Sequence, residues 1–300
     1  MSASKRRRLI IGIIGAGRVG AVLGAALRAA GHHVVAASGV SDAARARISR
    51  MLPDAAHLPA DAVARAATDL LLVAVPDDAL APLIAGLAET GALRPGQVVA
   101  HTSGAHGVAV LAPAAVVGAR TLALHPAMTF TGTPADLSRL AGISYGVTAP
   151  ADLRRFAERL VTDLGGKPEW VAETDRALYH AALVHGANHL VTLVNEALDR
   201  LRDAGVVYPE KVLEPLLRAS LDNALRLGDE ALTGPVSRGD AGTIARHLDR
   251  LSATSPESVP SYLALARRTA DRAIAAGRLR PLDAEPLLDV LANRNSERVA

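Results

Sequence analysis

The sequence predicts an α/β protein in which a doubly wound, mostly parallel sheet comes first and an all-α domain follows. Three observations predict it. A glycine-rich turn joins an apolar strand to an alanine-rich helix near the N-terminus, strands and helices alternate as far as Ala172, and strand-like runs disappear after Thr174. The turn lies in "LIIGIIGAGRVGAVLGAAL", Leu9 to Leu27, behind the basic tail Lys5-Arg6-Arg7-Arg8. Positive charge ahead of apolar residues also describes a secretory signal, but Arg18 breaks this run after about nine residues and leaves no uninterrupted apolar core. Residues 9–14 instead carry the β-branched side chains of a strand buried in a parallel sheet, and residues 19–29 form helix readily.

Between them Gly15, Gly17 and Gly20 spell G-x-G-x-x-G, with Ala16, Arg18 and Val19 at the intervening positions. In that pattern the first glycine makes a tight turn and the second lets backbone approach a pyrophosphate. The third lets the helix lie close to the strand, and the helix N-terminus offers an anion site.

Gly31 closes the first helix, and residues 33–37 read as a second strand. Further strands are expected at 69–76 ("DLLLVAVP"), 96–103 ("GQVVAHTS"), 120–126 ("RTLALHP"), 143–148 and 169–172, with helices at 79–89 and 151–164 between some of them. Such alternation implies right-handed βαβ units. Beyond Thr174 a 3.6-residue period predicts helices near 174–204, 209–227, 241–251, 256–276 and 283–291. The expected division is a dinucleotide-binding domain over 7–172 and a helical substrate or dimerisation domain over 173–294, with no repeat and no low-complexity linker.

Composition narrows the function classes. Three hundred residues at 50% hydrophobic content suffice for a large core and two domains. No apolar run approaches the roughly 18 residues of a membrane span. The net charge is +3, the basic residues are dispersed apart from the tail, and aromatics are 2%, so nucleic acid is not an expected partner. Absence of cysteine excludes disulfides, thiolate catalysis and cysteine-ligated zinc, and with no export signal fits a cytoplasmic protein.

The choice between NAD and NADP turns on the end of the second strand, where an acidic side chain would hold a free ribose hydroxyl. The strand ends in Ala37-Ser38-Gly39, followed by Ser41, Arg45 and Arg47, which can receive a 2'-phosphate. NADP is favoured, and Asp42 would serve NAD if the strand ran further. Ligands of open α/β sheets sit beyond the carboxyl ends of the strands. Those ends carry Val75-Pro76-Asp77-Asp78, His101-Thr102-Ser103-Gly104 and His125-Pro126. Two histidines and a serine on one edge suit a polar pocket with a proton donor.

In "YHAALVHGANHLVTLVNEALD" the neutral polar residues His185, Asn188, His189 and Thr192 recur at helical spacing and suit a cleft wall as well as a surface. His185 and His189 stand four apart, but Gly186 occupies the place of the glutamate a helical zinc motif needs, so no metal site is expected. In "LTGPVSRGD" Asp240 caps a helix, and Arg238 is a candidate partner for an acidic substrate.

Taken in order, Gly15-Ala16-Gly17-Arg18-Val19-Gly20, His101-Thr102-Ser103-Gly104, Leu124-His125-Pro126, Tyr179-His180 with Asn188, and Thr233-Gly234-Pro235 with Arg238-Gly239-Asp240 and His247 resemble a known family. It joins a Rossmann-like NADP-binding domain to a helical domain of the DUF2520 type, and is similar to pyrroline-5-carboxylate reductases, ketopantoate reductases and β-hydroxyacid dehydrogenases. The resemblance implies a cofactor site in the first domain and a helical domain that dimerises. It favours His180 with Asn188, where the helical stripe favours His185 with Asn188. The lysine that β-hydroxyacid dehydrogenases and ketopantoate reductases use on this helix has no counterpart between Lys167 and Lys211.

The expected function is an NADP-dependent reductase acting on a C=O or C=N bond of a small carboxylated metabolite, a ketopantoate-like 2-oxo acid first and a cyclic imine second. His180 or His125 would be the acid, Asn188 and Ser103 would orient the substrate, and Arg238 would pair with its carboxylate. The rival expectation is a non-catalytic NADP-binding protein whose helical domain is an interaction surface.

Overall fold

The computed structural model describes residues 7–296, so Lys5 and Arg6 of the basic tail lie outside it. The strands are β1 (Ile10–Ile14), β2 (His33–Ser38), β3 (Ala56–His57), β4 (Leu70–Val73), β5 (Val98–His101), β6 (Arg120–Pro126), β7 (Ser144–Thr148) and β8 (Lys167–Trp170). They form one sheet in the order β3-β2-β1-β4-β5-β6-β7-β8. All neighbours run parallel except β6 and β7, which are antiparallel. The carboxyl ends of β1, β2, β4, β5 and β6 therefore share one edge.

Seven helices accompany the strands: α1 (Arg18–Ala29), α2 (Asp42–Met51), α3 (Ala60–Ala66), α4 (Asp77–Glu89), α5 (Ala112–Val116), α6 (Ala135–Arg139) and α7 (Arg154–Asp163). Leu70 and Leu72 join one buried cluster with Ile11, Leu23 and Leu122, whereas Leu71 and Val73 join another with Ile84 and Val99. This two-residue alternation is what a strand buried on both faces requires.

The chain divides into two compact units, Met1–Asn188 and His189–Ala300. The change of sequence pattern at Thr174 falls earlier than this break. Helix α8 (Arg176–Leu183) stays with the first unit because Arg176 donates to carbonyl oxygens of Ser103, His106 and Gly146. The expected single helix over 174–204 is in fact α8, one π-helical turn at Val184–Asn188, and α9 (His189–Asp203).

The second unit continues with α10 (Pro209–Leu227), α11 (Ala241–Thr254), α12 (Val259–Ala275) and α13 (Pro281–Ser296). Ile244, Leu248, Leu263, Ala270 and Leu287 form a core for α11, α12 and α13. By contrast α9 buries no residue and α10 buries only Pro209. Among the described residues no helix is long and apolar enough to cross a membrane.

Candidate functional site

The three glycines of the turn are needed for three different reasons. Gly15 has φ +84°, and a Cβ there would lie 2.5 Å from the Ala74 carbonyl oxygen. At Gly20 a Cβ would overlap the Gly15 carbonyl oxygen and come within 3.1 Å of Ala74 Cβ. Gly17 differs, because a Cβ there meets nothing nearer than 4.0 Å. Its outer face is open. No side chain caps α1, whose first turn carries no acidic residue, whereas Ser41 caps α2 by accepting from the Ala44 N–H at 3.1 Å. An uncapped twelve-residue helix behind an open glycine fits the pyrophosphate of a dinucleotide.

The adenosine side is less regular than the sequence suggests. Strand β2 stops at Ser38, so Asp42 opens α2 instead of ending the strand. Ser38 Oγ accepts the Gly15 N–H at 3.4 Å, which ties the strand end to the glycine turn. Arg45 is folded onto its own helical turn, paired with Asp42 and donating to the Val40 carbonyl oxygen at 2.7 Å. Arg47 and Arg18 meet elsewhere: a Cβ on Gly132 would lie 2.7 Å from Arg47 Nε and 2.9 Å from Arg18 Cγ. Val75 borders the turn, its Cγ1 lying 3.0 Å from where a Gly15 Cβ would be, and Pro76 precedes α4, whose first turn holds Asp77. The Thr102 N–H donates to the Val73 carbonyl oxygen at 3.1 Å.

Three of the expected catalytic residues come together. His125, Met128, Thr129, His180, Val184 and Asn188 line a cleft of about 270 Å³ beyond the carboxyl end of β6. A Cβ on Gly104 would lie 2.5 Å from His180 Cδ2 and 3.1 Å from His125 Nε2, so only glycine lets both rings approach this loop. The two imidazoles meet edge to face at 5.9 Å between centroids. His125 Nδ1 lies 3.0 Å from Tyr179 Oη. Burial, then the positive charge of Arg176, then His180 hold the His125 pKa down to about 4, so this ring is neutral at pH 7.

Behind the cleft stands a network the sequence reading missed. Arg176 is buried, and its guanidinium gives hydrogen bonds to Ser103 O at 2.6 Å, His106 O at 2.9 Å and Gly146 O at 3.1 Å. It lies 5.5 Å from the Tyr179 ring centroid and forms no ion pair among the described residues. Glu173 accepts from the Val108 and Ala109 N–H groups at 2.7 and 3.0 Å.

Ser103, expected to orient substrate, is instead buried; its Oγ accepts the His106 N–H at 3.2 Å and it is not among the lining residues of the cleft. Neither is His185, which is exposed on the π-helical turn. Arg238 belongs to the second unit, in a depression it shares with Arg278 and Arg280. His101 has a structural place: Nε2–H donates to Gly107 O at 2.8 Å and Nδ1 accepts the Ser103 N–H at 3.1 Å.

The sheet order and the glycine turn define a Rossmann-like fold followed by helices. Residues 1–126 match the model of the Rossmann-like domain, and residues 143–269 match that of a domain of unknown function, DUF2520. The chain therefore joins a Rossmann-like domain to a DUF2520 domain. No curated protein matches it.

Among solved structures it is similar to a Bacteroides fragilis protein assigned as an NADP oxidoreductase, at 23% identity and TM-score 0.74 over 88% of this chain and 98% of that one. An imine reductase from Pseudomonas shares 19% identity with TM-score 0.63 over 91% and 99%. A 1-pyrroline-5-carboxylate reductase from Streptococcus pyogenes shares 18% with TM-score 0.59 over 89% and 99%. At these identities the likeness is one of fold.

Proposed function

We propose that the protein is an NADP-dependent reductase of a C=N or C=O bond in a small carboxylated metabolite. The carrying observation is the cleft of His125, His180 and Asn188, set on the same sheet edge as the open face of Gly17 and the uncapped α1. Gly15, Ala16, Gly17, Val19 and Gly20 would hold the pyrophosphate, and Arg18 with Arg47 would take the 2'-phosphate in preference to the engaged Arg45. When bound, the reduced nicotinamide would supply hydride. The names of the similar structures move the first choice of substrate from a ketopantoate-like 2-oxo acid to a cyclic imine, the 2-oxo acid being second.

His180 donates the proton and Asn188 hydrogen-bonds the reacting group. His125 stays neutral. With Tyr179 donating to its Nδ1, its remaining N–H is a hydrogen-bond donor at Nε2, beside Gly104. The Arg176 charge, matched by no ion pair among the described residues, supports an anionic substrate. The chain acts as a homodimer built on α9 and α10, whose Val191, Val212, Leu216, Leu221 and Leu225 are more than half exposed. The same surface is what favours the second reading, a non-catalytic NADP-binding protein that docks a partner there.

The test is calorimetric titration with NADPH and NADH, followed by NADPH oxidation over a panel of cyclic imines and 2-oxo acids. NADPH should bind more tightly, and His180→Ala should lower kcat on the order of 100-fold while leaving NADPH affinity unchanged. Turnover that persists in both His180→Ala and Asn188→Ala removes the site assignment, and failure to bind either cofactor removes the reductase reading altogether.

A further inference from the structure

Thr233, Pro235 and His247 belong to the motifs that carry the family resemblance, yet reduction in the cleft of the first unit uses none of them. In the second unit they converge on a groove of about 450 Å³, with Leu193, Val236 and Leu265 among its apolar walls. Arg200 also lines the groove, and two further polar features interrupt these walls. At one, His247 Nδ1 lies 2.8 Å from Tyr262 Oη; whichever atom carries the shared proton, the pair keeps one further N–H or O–H to offer. At the other, Glu196 accepts a hydrogen bond from Ser261 Oγ at 3.2 Å and has no cationic partner among the described residues.

The cation one turn further on is already committed. Arg200 is bound by Asp203 at 2.9 Å, Glu257 at 3.2 Å and Ser258 Oγ at 2.9 Å. Two carboxylates thus hold this guanidinium, and Glu196, which lines the groove, is paired with no cation among the described residues. A partly buried carboxylate beside apolar walls gives a cation both a charge partner and a surface for its hydrocarbon.

We propose that this groove binds a small apolar organic cation, a protonated amine whose hydrocarbon body lies against Leu193, Val236 and Leu265, whose nitrogen pairs with Glu196, and whose far end accepts from the His247–Tyr262 pair. The proposal is independent of the reductase reading, since no residue of the first unit enters it.

Three isosteric probes test it on the full chain by saturation-transfer NMR and calorimetry: cyclohexylamine, cyclohexanol and cyclohexanecarboxylate. Cyclohexylamine should bind, the alcohol more weakly, and the carboxylate not at all. Glu196→Gln should weaken the amine at least about tenfold, the loss of one ion pair. Leu265→Arg should abolish its binding by presenting an internal cation to Glu196, at a residue 44% exposed where folding is undisturbed. Equal binding of amine and alcohol, preference for the carboxylate, or an affinity unchanged by Glu196→Gln overturns the assignment. So does binding of no probe, or amine binding that vanishes as the chain self-associates, which would make a second copy the occupant.

Discussion

The first unit buries its apolar side chains on both faces of its sheet, whereas α9 and α10 of the second unit leave theirs outside. Helix α10 is the sharper case. At 100° per residue, Val212 and Leu216 point to one side and Leu221 and Leu225 to nearly the opposite one, and all four are more than half exposed. A helix apolar on most of its circumference is one that folds into a buried place. One unit thus buries its apolar side chains on its own sheet, and the other contains a helix that leaves them exposed.

The largest effect expected from breaking this contrast is at Gly20. A valine there drives its Cβ into the Gly15 carbonyl oxygen, which is fixed backbone, so Gly20→Val should destabilise the first unit by more than about 4 kcal/mol and give insoluble protein. Gly17→Ala is the control. Its Cβ meets no protein atom nearer than the Gly15 carbonyl oxygen at 4.0 Å, so its melting temperature should stay near that of the parent while NADPH affinity falls. Equal loss of stability in both variants would show that the turn is packed throughout and leaves no room for a phosphate.

A second difference is in the histidines. Among the described residues His101 is fully buried in the first unit, while His189 and His247 of the second unit are exposed. Burial, only partly offset by the hydrogen bond to the Gly107 carbonyl oxygen, lowers the His101 pKa to about 4 from an ordinary 6.5. Below 6.5 the unfolded chain binds a proton that the folded chain refuses. Stability from this residue is therefore fully present above pH 6.5 and declines as the pH falls towards 4, by on the order of 3 kcal/mol in all. His125 acts in the same direction. Trp170, the one tryptophan of the chain, lies in the first unit and reports its unfolding. Its fluorescence midpoint should drop between pH 6.5 and 4, and His101→Gln should flatten that drop; an unchanged slope in the variant would mean the imidazole is not the titrating group.

Local signals made most of the first unit legible. The glycine turn and the strand ends at His101 and His125 each depend on residues a few positions apart, as does the cap at Asp240 in the second unit, whereas Ser41, expected at a 2'-phosphate, caps α2. The engagement of Arg45 by Asp42 is also local, three residues apart, and could have been read as an ion pair instead of a phosphate contact. The Arg176 network could not: its partners lie 30 to 73 residues away, and in sequence Arg176 looks like any helix-surface arginine.

The π-helical turn explains the split between His180 and His185. Stripe reasoning assumes an unbroken 3.6-residue period, but the wider turn at Val184–Asn188 displaces the later residues of the helix by about one position, or about 100°. Residues before and after the turn therefore do not continue one stripe, and His180 shares the cleft with Asn188 while His185 does not.

The smallest effect per molecule decides what covers α10. If the helix is buried between two copies, each leucine removed from water contributes about 2 kcal/mol, and Leu216→Arg should shift a dimer to monomer in sedimentation equilibrium. If α10 is exposed in solution, a surface change of this kind should move stability by no more than about 0.5 kcal/mol and leave the mass unchanged. Leu225, 80% exposed and on the other side of the helix, divides the first outcome further. Dissociation by Leu216→Arg alone means that one face of α10 docks and the other is solvated. Dissociation by either variant means that the second copy wraps the helix, so that α10 acquires from its partner the burial that the sheet of the first unit makes for itself.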